Sequence, residues 1–139
     1  MDLSEYLDQT IENLAAAKAE NVATEMRRAI ALAVEAIENN RLIIVAGNGG
    51  SMSDAQHLSG ELVNFFTRQH RAFPVLTLGV NSSVSSAWAN DYEFSDQFAR
   101  EFSAYSKLCG LLLVFTTSGR SENINRLIEI AKIENIPSV

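Results

Sequence analysis

The 139-residue chain has one cysteine, one tryptophan, two histidines and two prolines, and fewer basic than acidic side chains, 11 Lys and Arg against 17 Asp and Glu. Each scarcity excludes something. A lone thiol, Cys109, cannot form an internal disulfide, and beside a strand-like run it reads as a small buried side chain. A net charge of −6 argues against a broad nucleic-acid or anionic-membrane surface, so any bound anion must be held by a local site. No apolar run approaches the length of a membrane span, and Met1-Asp-Leu-Ser-Glu5 carries acids where a signal peptide carries bases. The expectation is a cytoplasmic protein with no nucleic-acid or membrane partner. Without a proline- or glycine-rich linker, an internal repeat or a low-complexity stretch, the chain reads as one domain. Its 47% hydrophobic and 20% charged composition is that of an ordinary globular core.

Apolar periodicity supplies the elements. Leu3, Tyr6, Leu7, Ile11, Leu14 and Ala15 predict a helix over 3–18, and a second, opened by Asn21 or Thr24, runs through Met26, Ile30, Ala33, Val34 and Ile37 to Asn39-Asn40. Strands are expected at Leu42–Ala46, Phe73–Gly79 and Gly110–Thr116, with Ile136–Val139 beginning a fourth. Helices are expected over Ser51–Phe66, from a cap at Asn81-Ser-Ser83, over Phe94–Tyr105 and over Glu122–Ile133. Two helices followed by alternating strands and helices predict an α/β fold, a parallel sheet with helices on both faces. The ligand of such a sheet lies beyond the carboxyl ends of its strands.

Two polar turns fall at those ends. Gly47-Asn-Gly-Gly-Ser51 follows the first strand run and opens a helix, so its main-chain N–H groups form an anion site. Met52 stands where a dinucleotide fingerprint needs its third glycine, and no Gly-Lys pair makes a nucleoside-triphosphate loop; no nucleotide cofactor is expected. Thr116-Thr-Ser-Gly-Arg-Ser121 ends the third strand run with hydroxyls before another helix. Those hydroxyls suit a phosphate dianion, although Ser118 or Ser121 could also simply cap the helix. Together the two turns suggest one phosphorylated ligand.

Asp54, His57 and Glu61 share one helix face beside the glycine turn. That trio admits a proton shuttle, part of a metal site, or a solvated polar face; two ligands are too few for a closed zinc site. Asn90-Asp91 reads equally as a capping turn. His70, between Arg68 and Arg71, fits a solvated connector, and Trp88 and Phe65 fit core or interface positions.

Taken together, Gly47-Asn-Gly-Gly-Ser51, Asp54-Ala-Gln-His57, Glu61-Leu62, Ala89-Asn-Asp-Tyr92 and Thr116-Thr-Ser-Gly-Arg-Ser121 resemble the sugar isomerase (SIS) domain, and within it the phosphoheptose isomerases. The resemblance runs from the leading helices to residue 139. It implies a flavodoxin-like three-layer sandwich, with residues 1–39 as oligomerisation helices and 41–139 as the phosphosugar-binding core. It also implies a homotetrameric cytoplasmic enzyme that converts sedoheptulose 7-phosphate to a glycero-manno-heptose 7-phosphate on the way to lipopolysaccharide or capsule. Thr116, Thr117, Ser118 and Ser121 would hold the phosphate, with Asn48, Gly49, Gly50 and Ser51 lining the same pocket. Asn90 and Asp91 would lie near the sugar hydroxyls. Glu61 would move the proton through an enediol, and His57 with Glu61 would supply two ligands to a zinc ion.

The chain departs from the family pattern in three places. Phe65 replaces an arginine four residues after Glu61, and Leu108-Cys-Gly110 replaces a Gly-Asp lead into the third strand. The family's last third, with a glutamine and histidine that complete the acid/base pair and metal shell, is expected to be missing, leaving half an active site. The alternatives are a non-catalytic phosphosugar-sensing or partner-binding SIS module, such as the one that associates with the bacterial replication initiator, and a structural subunit that pairs through the Leu3, Leu7, Ile11 and Leu14 stripe.

Overall fold

A computed structural model describes residues 2–19 and 22–139. Asn21, one of the two expected helix starts, lies outside the described residues. The elements in order are α1 (Leu3–Ala19), α2 (Val22–Glu38), β1 (Leu42–Gly47), α3 (Gly50–Val63), β2 (Val75–Thr77), α4 (Ser82–Asp91), α5 (Gln97–Ser103), β3 (Cys109–Phe115) and α6 (Glu122–Ile133). Turns of 3₁₀ helix at Phe94–Asp96 and Ser106–Leu108 flank α5. The chain forms two compact units, Met1–Ala31 and Leu32–Val139.

In the first unit, α1 starts with a reciprocal cap. Asp2 Oδ1 accepts from the Glu5 N–H at 2.9 Å, and Glu5 Oε2 accepts from the Asp2 N–H at 3.0 Å, satisfying two of the donors that a helix start leaves orphaned. Leu3, Tyr6, Leu7, Ile11 and Leu14 on α1, and Met26 and Ile30 on α2, are exposed.

The second unit is a parallel sheet in the order β2-β1-β3. Alternation along the central strand explains its two-sided burial. Ile44 and Ala46 pack with Leu112, Phe98, Phe102, Ile124 and Leu127 on one face, while Ile43 and Val45 pack with Leu111, Ala55 and Ala36 on the other. Helices α5 and α6 cover the first face; α3 and the end of α2 cover the second. The expected fold class is observed. Ile136–Val139 adds to the free edge of β3, where Leu112 N–H donates to Pro137 O at 2.9 Å and Val139 N–H to Leu112 O at 3.0 Å, with one parallel bridge at Ser138. The chain therefore leaves β1 toward β2 and returns on its other side as β3. That order puts a topological switch point between the carboxyl ends of β1 and β3.

Three boundaries differ from the sequence expectations. The helix predicted to reach Phe66 ends at Val63, because the backbone N–H and side-chain amide of Asn64 both bond Gly60 O, at 2.9 and 3.1 Å. Phe65 is thus outside the helix and 52% exposed, no longer one helical turn from Glu61. The strand predicted over Phe73–Gly79 pairs only at Val75–Thr77, after Pro74, which has no N–H, and before Gly79 at φ +78°. The helix predicted over Phe94–Tyr105 is α-helical only around the buried pair Phe98 and Phe102.

Candidate active site at the strand switch point

The first wall of the site follows from two glycines. A Cβ on Gly47 would stand 2.5 Å from Ser51 O, so only glycine lets α3 begin directly above the end of β1. Gly49 takes φ +54°, ψ −122° at the N-cap of α3, and the N–H groups of Ser51 and Met52 donate back to Asn48 O and Gly49 O at 3.0 Å each, so the main-chain anion site expected of this turn is reduced and its side chains face the space above the sheet. The second wall begins where β3 ends at Phe115. Thr116 Oγ1 accepts from the Gly119 N–H at 3.2 Å and Ser118 Oγ from the Arg120 N–H at 3.1 Å, so these two hydroxyls shape their own turn. Ser121 occupies the N-cap of α6, yet its hydroxyl makes no capping bond; only its carbonyl enters the helix, accepting from Ile124 and Asn125.

Asn48, Ser51, Phe115, Thr116, Thr117 and Ser121 enclose a cavity of about 100 Å³. No charged side chain lines it. An anion there meets hydroxyls and the N-terminal ends of α3 and α6, whose dipoles both favour negative charge. Across Phe115 lies a cavity of about 290 Å³ lined by Asp54, His57, Leu58 and Glu61. His57 Nε2 is 3.1 Å from Glu61 Oε1, with the imidazole 76% exposed.

A third cavity, about 430 Å³, shares Asn48 and Ser121 with the first and is lined by Glu93, Phe94, Ser95, Glu122 and Asn123. The Glu122 carboxylate in α6's first turn is paired with Arg126 Nη2 at 2.7 Å, and Arg126 Nη1 also holds Asp96 at 2.6 Å. Those two carboxylates hold the guanidinium more firmly protonated than usual. The arginine therefore offsets negative charge close to the 100 Å³ cavity. A roomier cleft of about 540 Å³, lined by Arg41, Cys109, Gly110 and Ile136 among others, lies at the amino ends of β1 and β3. It has no helix start to offer an anion and sits at the end of the sheet opposite the switch point.

Of the expected site residues, Asn48, Ser51, Thr116, Thr117 and Ser121 come together around one cavity, and His57 and Glu61 line the next. Gly49 and Gly50 build the turn without lining either. Ser118 does not line these cavities, and its Oγ accepts from the Arg120 N–H within its own turn. Asn90 and Asp91 lie in the last turn of α4, exposed, with Asn90 Nδ2 donating to Asp91 Oδ1 at 2.8 Å, and line none of these cavities. Sequence reasoning missed Asn123, which is 3% exposed and exchanges two hydrogen bonds of 2.9 Å with Asn48. The available signal was a poor helix former in the first turn of a strongly amphipathic helix.

The geometry fits a family pattern. A model of the SIS domain matches residues 5–137. The chain belongs to the SIS domain family. It is 41% identical over 101 residues to a phosphoheptose isomerase of a Nitratiruptor species, covering 73% of this chain and 54% of that protein. It is 29% identical over 137 residues to one of a Synechocystis species, covering 99% and 71%. A solved phosphoheptose isomerase from Francisella tularensis superposes with a TM-score of 0.81 at 30% identity, covering 99% of this chain and 74% of that one. One from Neisseria gonorrhoeae gives 0.80 at 26%, covering 99% and 73%. The chain spans about half the length of several of the curated relatives it matches.

The resemblance implies a zinc ion, which needs more donors than the described residues of this SIS domain bring together. Among the described residues no cluster of three His, Cys, Asp or Glu side chains could hold a metal. His57 and Glu61 are two donors, where a zinc site takes three or four protein ligands. The described residues do not make a zinc site by themselves. Among them, too, no helix is long and apolar enough to cross a membrane.

Proposed function

We propose that this SIS domain is the substrate-binding part of a cytoplasmic phosphosugar isomerase of the phosphoheptose type, converting sedoheptulose 7-phosphate to glycero-manno-heptose 7-phosphate for lipopolysaccharide or capsule precursors. The supporting observation is the neutral, hydroxyl-lined cavity at the β1/β3 switch point, which shares Phe115 with the cavity of His57 and Glu61. The names of the relatives point the same way.

In this reading the phosphate sits among Ser51, Thr116, Thr117 and Ser121, and the carbon chain passes Phe115. The Glu61 carboxylate removes a proton from C1 of the ketose while O2 takes up a proton, giving a 1,2-enediol; the proton on Glu61 then returns to C2 as O1 gives up its own and the carbonyl forms at C1, so the proton gained at O2 is balanced by the one lost from O1. His57, hydrogen-bonded to Glu61, orients the carboxylate. Asn90 and Asp91 would contact the sugar hydroxyls only with a movement of α4 or in an assembled oligomer. We further propose a homotetramer, joined through the exposed apolar residues of α1 and α2, and a zinc ion that takes His57 and Glu61 only with donors from outside the described residues.

The test is isomerisation of sedoheptulose 7-phosphate by the full-length protein. Glu61→Gln should lower turnover by about 100-fold or more while sugar-phosphate binding persists. Retained turnover would remove Glu61 from its role. Phe65, exposed in place of a cationic side chain, favours a second reading, a phosphosugar-sensing module; binding of the same ligand with no turnover in the full-length wild-type protein would select it.

A further inference from the structure

We propose that Asn123 is a positioning residue that sets the aperture of the anion cavity by clamping Asn48, an inference that rests on the anion-site reading above. The two turns that line the cavity come from different strands, and the Asn48–Asn123 pair is a direct polar tie between them, across 75 positions of sequence. Asn123 Nδ2 donates to Asn48 Oδ1 and Asn48 Nδ2 donates to Asn123 Oδ1, each at 2.9 Å. Asn123 Oδ1 also accepts from the Ile124 N–H at 3.0 Å.

Local structure explains only half of the asparagine at this position: its Oδ1 accepts from the Ile124 N–H, while its Nδ2 donates to Asn48, 75 positions away. Asn is a poor helix former, and a residue 3% exposed would serve the core better as an apolar side chain. The partner explains it. An amide offers a donor and an acceptor in one plane and so can pair reciprocally with another amide; Asp offers two acceptors and Leu neither. Asn123 is absent from the lining of the 100 Å³ cavity, whereas Asn48 belongs to it. The geometry therefore assigns Asn123 an action through Asn48, which keeps one Nδ2 hydrogen and one Oδ1 lone pair for the ligand. Donors from two separate loops can converge on one small anion only if their spacing is held to a fraction of an ångström. The amide pair supplies that constraint.

The experiment is isothermal titration of inorganic phosphate and of sedoheptulose 7-phosphate into wild type, Asn123→Ala, Asn48→Ala and the double variant, with melting temperatures recorded in parallel. Asn123→Ala should weaken both ligands by about tenfold. The same substitution should change affinity by less than about twofold in the Asn48→Ala background, because the action runs through Asn48. Thr77→Val, which removes the 2.6 Å Ser59–Thr77 hydroxyl bond between α3 and β2, should lower the melting temperature with affinity unchanged. Should Asn123→Ala not fold, Asn123→Gln keeps a buried amide but displaces it, and the same loss is expected. Wild-type affinity in Asn123→Ala or Asn123→Gln, or additive losses in the double variant, would overturn the positioning role and leave the anion site standing. Wild-type protein that binds neither ligand would remove the anion site and this role with it.

Discussion

The Glu101 carboxylate on α5 accepts a 2.7 Å hydrogen bond from the Gly79 N–H, holding the turn after β2 against the helix. Burial raises the acid's pKa from the usual glutamate range, and the Gly79 bond only partly opposes it. Between the ordinary and the raised value the folded chain keeps a proton that the unfolded chain has lost. Stability therefore falls as pH rises through that window and levels off above it. Glu101→Gln keeps an oxygen for the Gly79 N–H and removes the titration. Urea midpoints across mildly acidic to neutral pH should show a flatter profile for the variant, with stability at neutral pH no lower than wild type. An unchanged slope would assign the dependence to another group.

Cys109 begins β3 at 2% exposure, and burial pushes its thiol up to about 11. At pH 8 only about one thiol in a thousand is then ionised, and the thiolate is the nucleophile. Ellman's reagent should react with the native protein far more slowly than with a free thiol and stoichiometrically in urea. Fast native labelling would contradict the burial.

Gly47 and Gly49 are both glycine for different reasons, and alanine should distinguish them. At Gly47 the methyl would stand 2.5 Å from Ser51 O, so strand end and helix start must separate, at a cost of about 1–3 kcal/mol or more. At Gly49 nothing lies within 4 Å of the new methyl, and the cost is conformational, from φ +54°, at about 1–3 kcal/mol. Both variants should lose stability in urea unfolding. In a crystal structure of each, Gly47→Ala should shift the start of α3, whereas Gly49→Ala should not.

What could be read in advance follows from which forces are local. Leu42–Ala46 is apolar on both strand faces, the period of Glu122–Ile133 is regular, and Asn81 accepts from both Ser83 and Val84 as a cap should, so these elements lie where the sequence implies. Ser51 and Ser121 meet because each follows a strand of one parallel sheet, and parallel strands present their ends together. Asn90-Asp91 ends a helix instead, and no rule of sheet topology brings it to the switch point. The end of α3 was illegible because Phe65 and Phe66 continue the apolar period, while Asn64 turns its amide back on Gly60. The Asn48–Asn123 pair was illegible because each residue has a local explanation, a glycine turn and a helix start, and nothing local links two positions 75 residues apart.

Ser121 and Asn81 both sit at helix N-caps, and only one of them uses its side chain there. Asn81 Oδ1 accepts from the N–H groups of Ser83 and Val84, so Asn81→Ala should cost about 1 kcal/mol. Ser121 makes no side-chain capping bond and lines the 100 Å³ cavity instead, so Ser121→Ala should cost well under that and, on the function proposed above, weaken phosphate. Losing one hydroxyl donor to a dianion corresponds to about 1.5–3 kcal/mol, roughly ten- to a hundredfold in Kd. Urea midpoints and phosphate titrations of the two variants should therefore diverge, Asn81→Ala losing stability at wild-type affinity and Ser121→Ala losing affinity at near wild-type stability. If Ser121→Ala instead lost stability and kept its affinity, its hydroxyl would be a cap after all, and the cavity would have one ligand fewer than its geometry provides.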